Sequence, residues 1–237
     1  MTKACLASVV ALTLYSSCGG VWFSDAASAV NGNEPMQSER RLALADGPTA
    51  LCVPCVVAVD GWTSLFDGKS FGGWKPNERP ENWKIEDGVI VGRGERSHLY
   101  YMDKQFKNFE FQADVMINEG GNSGIYFHIQ HHDEGWFFDG HEVQINNSHA
   151  DPVRTGSLWG VVKLYDSPVK DNEWFTVHIA VKDQNIVVKV NDKIVVDYTE
   201  PEGATAARRI GKGYFALQQH DPSSSVRFRN LKVKPLP

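Results

Sequence analysis

The chain has 237 residues, of which 42% are hydrophobic, 22% charged and 11% aromatic. This is a globular composition with room for one domain and a tail, and it excludes disorder throughout. A net charge of −5 without a basic block argues against a nucleic-acid partner. Past the N-terminus no run approaches the ~20 apolar residues of a membrane span.

Lys3 precedes an apolar run, Ala4 to Tyr15, and small residues then lead to Ala27-Ser28-Ala29. That is the order of a secretory signal peptide. Residues 1–29 are therefore expected to be removed, leaving an exported chain, periplasmic or extracellular, with no integral membrane span. Tyr15-Ser16-Ser17-Cys18 loosely resembles a lipobox, with Tyr15 where Leu is usual, and offers Cys18 as an alternative lipid anchor. Residues 30–60 have no period and read as a flexible tail or linker. They contain Cys52-Val53-Pro54-Cys55, with no second CxxC and no later Cys. A local disulfide, or no site at all, fits better than a redox or metal centre.

From Gly61 onward turn residues become dense. Asp87-Gly88 separates Trp83–Glu86 from Val89–Val91, and Asn191-Asp192 separates Ile186–Val190 from Lys193–Asp197, both hairpin signals. Phe109–Ile117, Ile125–Gln130, Glu142–Ile145 and Thr176–Val181 alternate apolar with polar residues, and Tyr214–Gln218 and Val226–Val233 close the chain. No long window keeps a helical stripe. About ten to twelve short strands predict an all-β domain over 61–237, two packed antiparallel sheets.

One face of this sandwich is unusual. Alternation puts Ile125, Phe127 and Ile129 toward the core and Tyr126, His128 and Gln130 away from it. Glu142 and Gln144 fall on the same outer side opposite Val143 and Ile145, as do Ala216, Gln218 and His220 opposite Phe215 and Leu217. A polar outer face is the default for a sandwich. Aromatic, imidazole and carboxamide groups in place of Lys, Thr and Ser also suit stacking on, and hydrogen-bonding to, a sugar. Pattern alone leaves both readings open.

These blocks carry a resemblance. Trp62-Thr63-Ser64-Leu65-Phe66-Asp67-Gly68, Gly73-Trp74, Trp83-Lys84-Ile85-Glu86-Asp87-Gly88, Gly121-Asn122-Ser123-Gly124-Ile125-Tyr126-Phe127, Glu142-Val143-Gln144-Ile145, Thr155-Gly156-Ser157-Leu158, Glu173-Trp174, Ala216-Leu217-Gln218 and Val226-Arg227-Phe228-Arg229-Asn230-Leu231 occur in this order. The series, spanning about 61 to 236, resembles a bacterial family first described as a domain of unknown function and now as 3-keto-disaccharide hydrolase, or 3-keto-glucoside 1,2-lyase/3-keto-2-hydroxy-glucal hydratase. The resemblance implies a concanavalin A-like jelly-roll sandwich with a concave sugar-binding face, and a carbohydrate substrate. Two features depart from the family pattern: His128 stands where many members carry Arg, and 130–141 forms an elongated loop.

The implied chemistry is elimination. A ketone at sugar C3 acidifies the C2 hydrogen; a base removes it, the C1 substituent leaves, and water adds back. Glu142 and His220 are the candidate proton carriers. Gln144, Gln218 and Asn122 are candidates for holding hydroxyls or the enolate, Tyr126 and Trp159 for stacking, His128 for substrate contact and Lys163 for stabilising an oxyanion. Plain structural readings stand beside these. Glu142 could pair with Arg154 or Lys163, His220 could end a strand before Asp221-Pro222, and Asn122 could build its turn. Trp74, Trp83 and Trp174 read as core, and His131, His132 and His149 as loop residues. No cofactor is fixed. His128, His131 and His132, with Asp133, Glu134 and Asp139 nearby, have ligand-like spacing but do not point together, so a divalent metal as enolate stabiliser is left without named ligands. The alternatives are a conventional glycoside hydrolase and a non-catalytic carbohydrate-binding module. Glu142-Val143-Gln144 has an amide where a two-carboxylate glycosidase would carry its second acid.

Overall fold

The structure, a computed structural model, describes residues 60–237. The expected leader and tail, with Ala29, Cys18, Cys52 and Cys55, lie outside the described residues. Thirteen strands run in order: β1 Thr63–Ser64, β2 Trp74–Pro76, β3 Trp83–Glu86, β4 Val89–Arg93, β5 Ser97–Phe106, β6 Phe109–Ile117, β7 Ser123–Ile129, β8 His141–Ile145, β9 Phe175–Lys182, β10 Asn185–Val190, β11 Lys193–Thr199, β12 Gly213–Gln219 and β13 Ser225–Pro235. One 3₁₀ turn, Pro80–Asn82, is the only helical element among the described residues, and no helix there is long and apolar enough to cross a membrane.

The strands form two antiparallel sheets, a jelly-roll sandwich. The larger runs β11-β10-β9-β6-β13-β4-β3, with β1 also paired to β13; the smaller runs β2-β5-β12-β7-β8. Both expected hairpins close on two-residue turns. Asp87 and Gly88 have φ of 50° and 77°, and Asn191 and Asp192 have 47° and 64°. Positive φ at both central residues matches the right-handed strand twist, which is why Asp, Asn and Gly occupy them.

Alternation fills the space between the sheets. Phe109, Phe111, Val115 and Ile117 of β6 meet Val177 and Ile179 of β9 and Phe127, Val143, Phe215 and Leu217 of the smaller sheet in one cluster. Each such side chain contributes roughly 1.5–3 kcal/mol on burial. Trp74 and Trp83 belong to this cluster. Trp174 does not: it is only half-buried, with the Arg229 guanidinium 3.9 Å from its ring centre.

The smaller sheet also buries its other face. Tyr100, Tyr126, Ile129, Phe137 and Ala216 form a second cluster there, away from the main core. Ile129 sits in this cluster, not on the core side that alternation predicts. The register shifts between Tyr214 and Ala216, so β7 carries one extra residue, and His128 takes that place with φ of 60°. Such a bulge reverses the sidedness of the residues after it.

Candidate functional site

Pairing across the smaller sheet fixes the site. Tyr100, Ala216, Tyr126 and Glu142 lie side by side on β5, β12, β7 and β8. In the next row His98 faces Gln218, and Gly124 faces Gln144. The row thus has no side chain at 124, and the Glu142 carboxyl leans over that gap. A cavity of about 260 Å³ opens above these rows. It is lined by Asn122, Tyr126, Glu142, Gln144 and Gln218, with Trp136, Phe137, Phe138, Asp151, Trp159, Arg208 and His220 around them.

Glu142 is 4% exposed. Burial pushes its carboxyl up to about 7; Arg208 and the Tyr126 hydroxyl oppose the rise, and Asp151 adds to it. Arg208 Nη2 lies 3.6 Å from Glu142 Oε2, and its guanidinium sits 4.5 Å from the Trp159 ring centre. Gln218 Nε2 donates to Tyr126 Oη at 2.9 Å and reaches Glu142 Oε1 at 3.5 Å. It also lies 3.5 Å from His98 Nε2. Burial drives His98 down to about 3, so its imidazole is neutral. Gln144 Nε2 donates to Asn122 Oδ1 at 2.8 Å. The floor is therefore a hydrogen-bonded set of amides around one carboxyl held near neutrality.

His220 stands at the cavity edge just past β12. Its Nδ1 lies 2.7 Å from Asp221 Oδ2, and Trp136 packs 4.9 Å from its ring. The loop at 130–140 covers the second cluster. Phe137 is its buried anchor, 4.2 Å from His98 and stacked on His132 at 4.8 Å. Trp136 and Phe138 flank the anchor at the cavity mouth, 43% and 60% exposed.

His149, His220 and Asp221 bring three donor atoms within 4.8 Å of one another. They fit a metal poorly. His149 Nδ1 accepts the Asp151 N–H at 3.0 Å, so the neutral ring carries its proton on Nε2. Nε2 is the atom facing Asp221, at 3.7 Å, and a metal would need its lone pair. The sequence's other histidines do not converge: His132 pairs with Asp139 at 2.9 Å, while His131 lies 3.6 Å from Asp133.

With this geometry in hand, similarity to known proteins places the domain. The sequence pattern of the 3-keto-alpha-glucoside-1,2-lyase-like domain matches residues 61–234. The chain belongs to this family. It is 26% identical to a protein of Bacteroides thetaiotaomicron named 3-keto-disaccharide hydrolase, over 76% of this chain and 80% of that one. It is 27% identical to the crystal structure of a candidate glycosyl hydrolase from Parabacteroides distasonis, with a TM-score of 0.65 over 75% of this chain and 95% of the other. The carbohydrate-binding module CBM66 of Bacillus subtilis shares the fold, at 16% identity and a TM-score of 0.52 over 68% of this chain and 94% of that one.

In this 3-keto-alpha-glucoside-1,2-lyase-like domain most of the expected site residues meet. Glu142, Gln144, Gln218, Asn122, Tyr126, Trp159 and His220 all line the one cavity. His128 does not. At the bulge it turns away, its Nε2 donating to the Lys107 carbonyl at 2.7 Å and its Nδ1 accepting the Gly211 N–H at 3.2 Å. Lys163 is exposed and outside the lining; Arg208 is the cation beside Glu142, in place of Arg154 or Lys163. Arg154 instead binds the carbonyls of His149 and Asp151. Tyr126 is buried under Phe137, and its hydroxyl serves the network rather than a free stacking face. Trp159 already has Arg208 on its ring. Arg208, Asp151, His98, Trp136 and Phe137 were not expected at the site. Trp136 and Phe137 lie in the elongated 130–141 loop that the sequence marks, whereas Arg208, Asp151 and His98 carry no local signal.

Proposed function

We propose that this domain cleaves 3-keto-glycosides by C2 proton abstraction, elimination of the C1 substituent and hydration, for a net hydrolysis. The observation that carries the reading is Glu142: one buried carboxyl, held at about 7, at the floor of a cavity walled by amides and aromatic rings. A group poised near neutrality can take or give a proton, which is what elimination and re-hydration both require. His220 is the second proton carrier. Asn122 and Arg208 are the donors available to an enolate oxygen. The amide-rich floor also suits a substrate whose hydroxyls and ketone need several hydrogen bonds at once. The B. thetaiotaomicron relative's name supports the same substrate class.

One observation favours a second reading, a conventional glycosidase: Asp151 is another carboxylate on the cavity wall. Its Oδ1 accepts the Val153 N–H at 2.8 Å, a loop-building contact. Incubation with 3-keto-trehalose or a 3-keto-glucoside beside the unoxidised sugar separates the two. Loss of the keto form alone is expected; cleavage of the ordinary glycoside supports the two-carboxylate reading instead. The export expected from residues 1–29 belongs to the same proposal, and mass spectrometry of the mature N-terminus tests it.

A further inference from the structure

From the hydrogen bonds around His220 we infer that Asp221 is a positioning residue, that His220 Nε2 is the base that removes the C2 proton, and that Glu142 is the acid that protonates the departing oxygen. This rests on the elimination reaction proposed above and assigns its two halves.

The tautomer of His220 is set by its neighbours. Asp221 Oδ1 accepts the Ser223 N–H at 2.9 Å and also takes the Ser223 hydroxyl, so the carboxylate is fixed in its turn. Burial would raise this acid, but the Ser223 and His220 hydrogen bonds outweigh it and hold Asp221 down at about 2. It is therefore an acceptor only. His220 Nδ1, 2.7 Å from Asp221 Oδ2, must carry the hydrogen. In the neutral ring Nε2 is then the lone-pair nitrogen, and among the described residues it has no hydrogen-bond partner. His149 approaches the same carboxylate oxygen. The Asp151 N–H fixes its Nδ1 as acceptor, which turns a protonated Nε2 toward Asp221 Oδ2 at 3.7 Å. Asp221 thus faces two imidazole N–H groups, and the free nitrogen of the pair belongs to the ring that lines the cavity. Glu142 has the complementary character, a carboxyl that burial keeps protonated to unusually high pH.

The steps balance. His220 Nε2 takes the C2 proton, and the C–H electron pair passes into the enolate. The enolate collapses to a C1=C2 bond, the C1–O bond breaks, and the Glu142 proton goes to the departing oxygen. In the second half the Glu142 carboxylate takes a proton from water as its oxygen bonds to C1, and the imidazolium returns a proton to C2. Both groups are restored, one water is consumed and no redox partner is needed.

Imidazole ¹⁵N spectra of the full chain test the tautomer without substrate. His220 is expected as Nδ1–H with a free Nε2. An Nε2–H signal, or a metal-bound nitrogen in protein as purified, overturns the inference. Hydrogen–deuterium exchange at C2 of a 3-keto-glucoside then separates base from acid. Glu142→Gln should keep exchange while losing cleavage. His220→Asn should lose both. Asp221→Asn, which retains an oxygen for the Ser223 N–H, should lose 100-fold or more in exchange and kcat with KM and melting temperature little changed, and its His220 signal should move toward the Nε2–H form. Exchange lost in Glu142→Gln but kept in His220→Asn overturns the assignment. Wild-type protein that neither exchanges nor cleaves any 3-keto-glucoside defeats the reaction itself, while the ¹⁵N spectrum still decides the Asp221–His220 pair.

Discussion

Glu142 occupies space that only the missing side chain of Gly124 leaves open. A Cβ at 124 would overlap Glu142 Oε1 and stand 3.0 Å from its Cγ and 3.1 Å from its Cδ. The two residues lie on the paired strands β7 and β8, so the carboxyl cannot move away without leaving its place beside Gln218 and Arg208. Gly124 has no positive φ that would itself require glycine. Gly124→Ala should therefore fold, with about 1–3 kcal/mol lost to overpacking. Its kcat should fall at least tenfold as the carboxyl is displaced. Steady-state kinetics with a thermal melt checks this; unchanged kcat would mean the position of the carboxyl is not critical.

Glu142→Gln separates chemistry from stability. Turnover on a 3-keto-glucoside should fall by ~10²–10⁴-fold, the usual contribution of a proton-transfer group. The stability effect runs with pH. The folded carboxyl titrates at about 7 against an ordinary 4.5, so between those values the folded protein holds a proton that the unfolded chain has released. The contribution of this one group to wild-type stability is then largest below about 4.5 and is lost as pH rises through 7, on the order of 3 kcal/mol. The Gln variant lacks this loss. Its melting temperature, measured against wild type, should rise steadily from pH 4.5 to 8; a constant offset would show that the carboxyl is not raised.

Much of the scaffold was legible because β6 and β9 each bury one face and expose the other, which writes period two directly into Phe109–Ile117 and Phe175–Lys182. β5 was not. Ser97, His98, Leu99 and Tyr100 are all buried, because this strand has core on one side and the site on the other, and the alternation disappears. The floor of the site was legible for the same reason as β6: Glu142, Gln144 and Gln218 are polar groups opposite clean apolar partners. His128 misled because its left-handed backbone looks like ordinary alternation in the sequence. The bulge depends on Gly140 and Gly213, where any side chain would run into the His128 backbone. Arg208 left no trace, since it lies in the irregular segment between β11 and β12 and meets Glu142 only through tertiary packing.

The two charges beside Glu142 should tune it in opposite directions. Arg208 lowers the carboxyl and Asp151 raises it. If Glu142 is the proton donor, kcat/KM falls as pH rises through about 7, where the folded carboxyl ionises. Arg208→Met should move that limb upward, by about 1–3 pH units on the usual scale of a close opposite charge. Asp151→Asn should move it downward, since Asn keeps the oxygen that accepts the Val153 N–H. A pH–rate profile of each variant checks the pair. Limbs that stay at the wild-type position would assign the titration to another group.

The two aromatic neighbours Trp136 and Phe137 should give opposite signatures. Phe137 is 2% exposed and is packed against His98, Tyr100 and Tyr126. Phe137→Ala removes the anchor of the 130–140 loop and should cost about 3–5 kcal/mol in a thermal or denaturant melt, with activity falling because the cavity loses its cover. Trp136 is 43% exposed and lies between Arg96, 5.3 Å away, and His220. Little of its ring is needed for folding, so Trp136→Ala should melt near the wild-type temperature. What it offers is an apolar wall at the cavity mouth, and covering about 50 Å² of a sugar's C–H face there is worth roughly 1 kcal/mol. KM for a 3-keto-glucoside should therefore rise by about fivefold with kcat nearly kept. A fall in kcat at unchanged KM would instead mean that Trp136 acts by holding His220 in place, and the wall would have to be sought at Phe138.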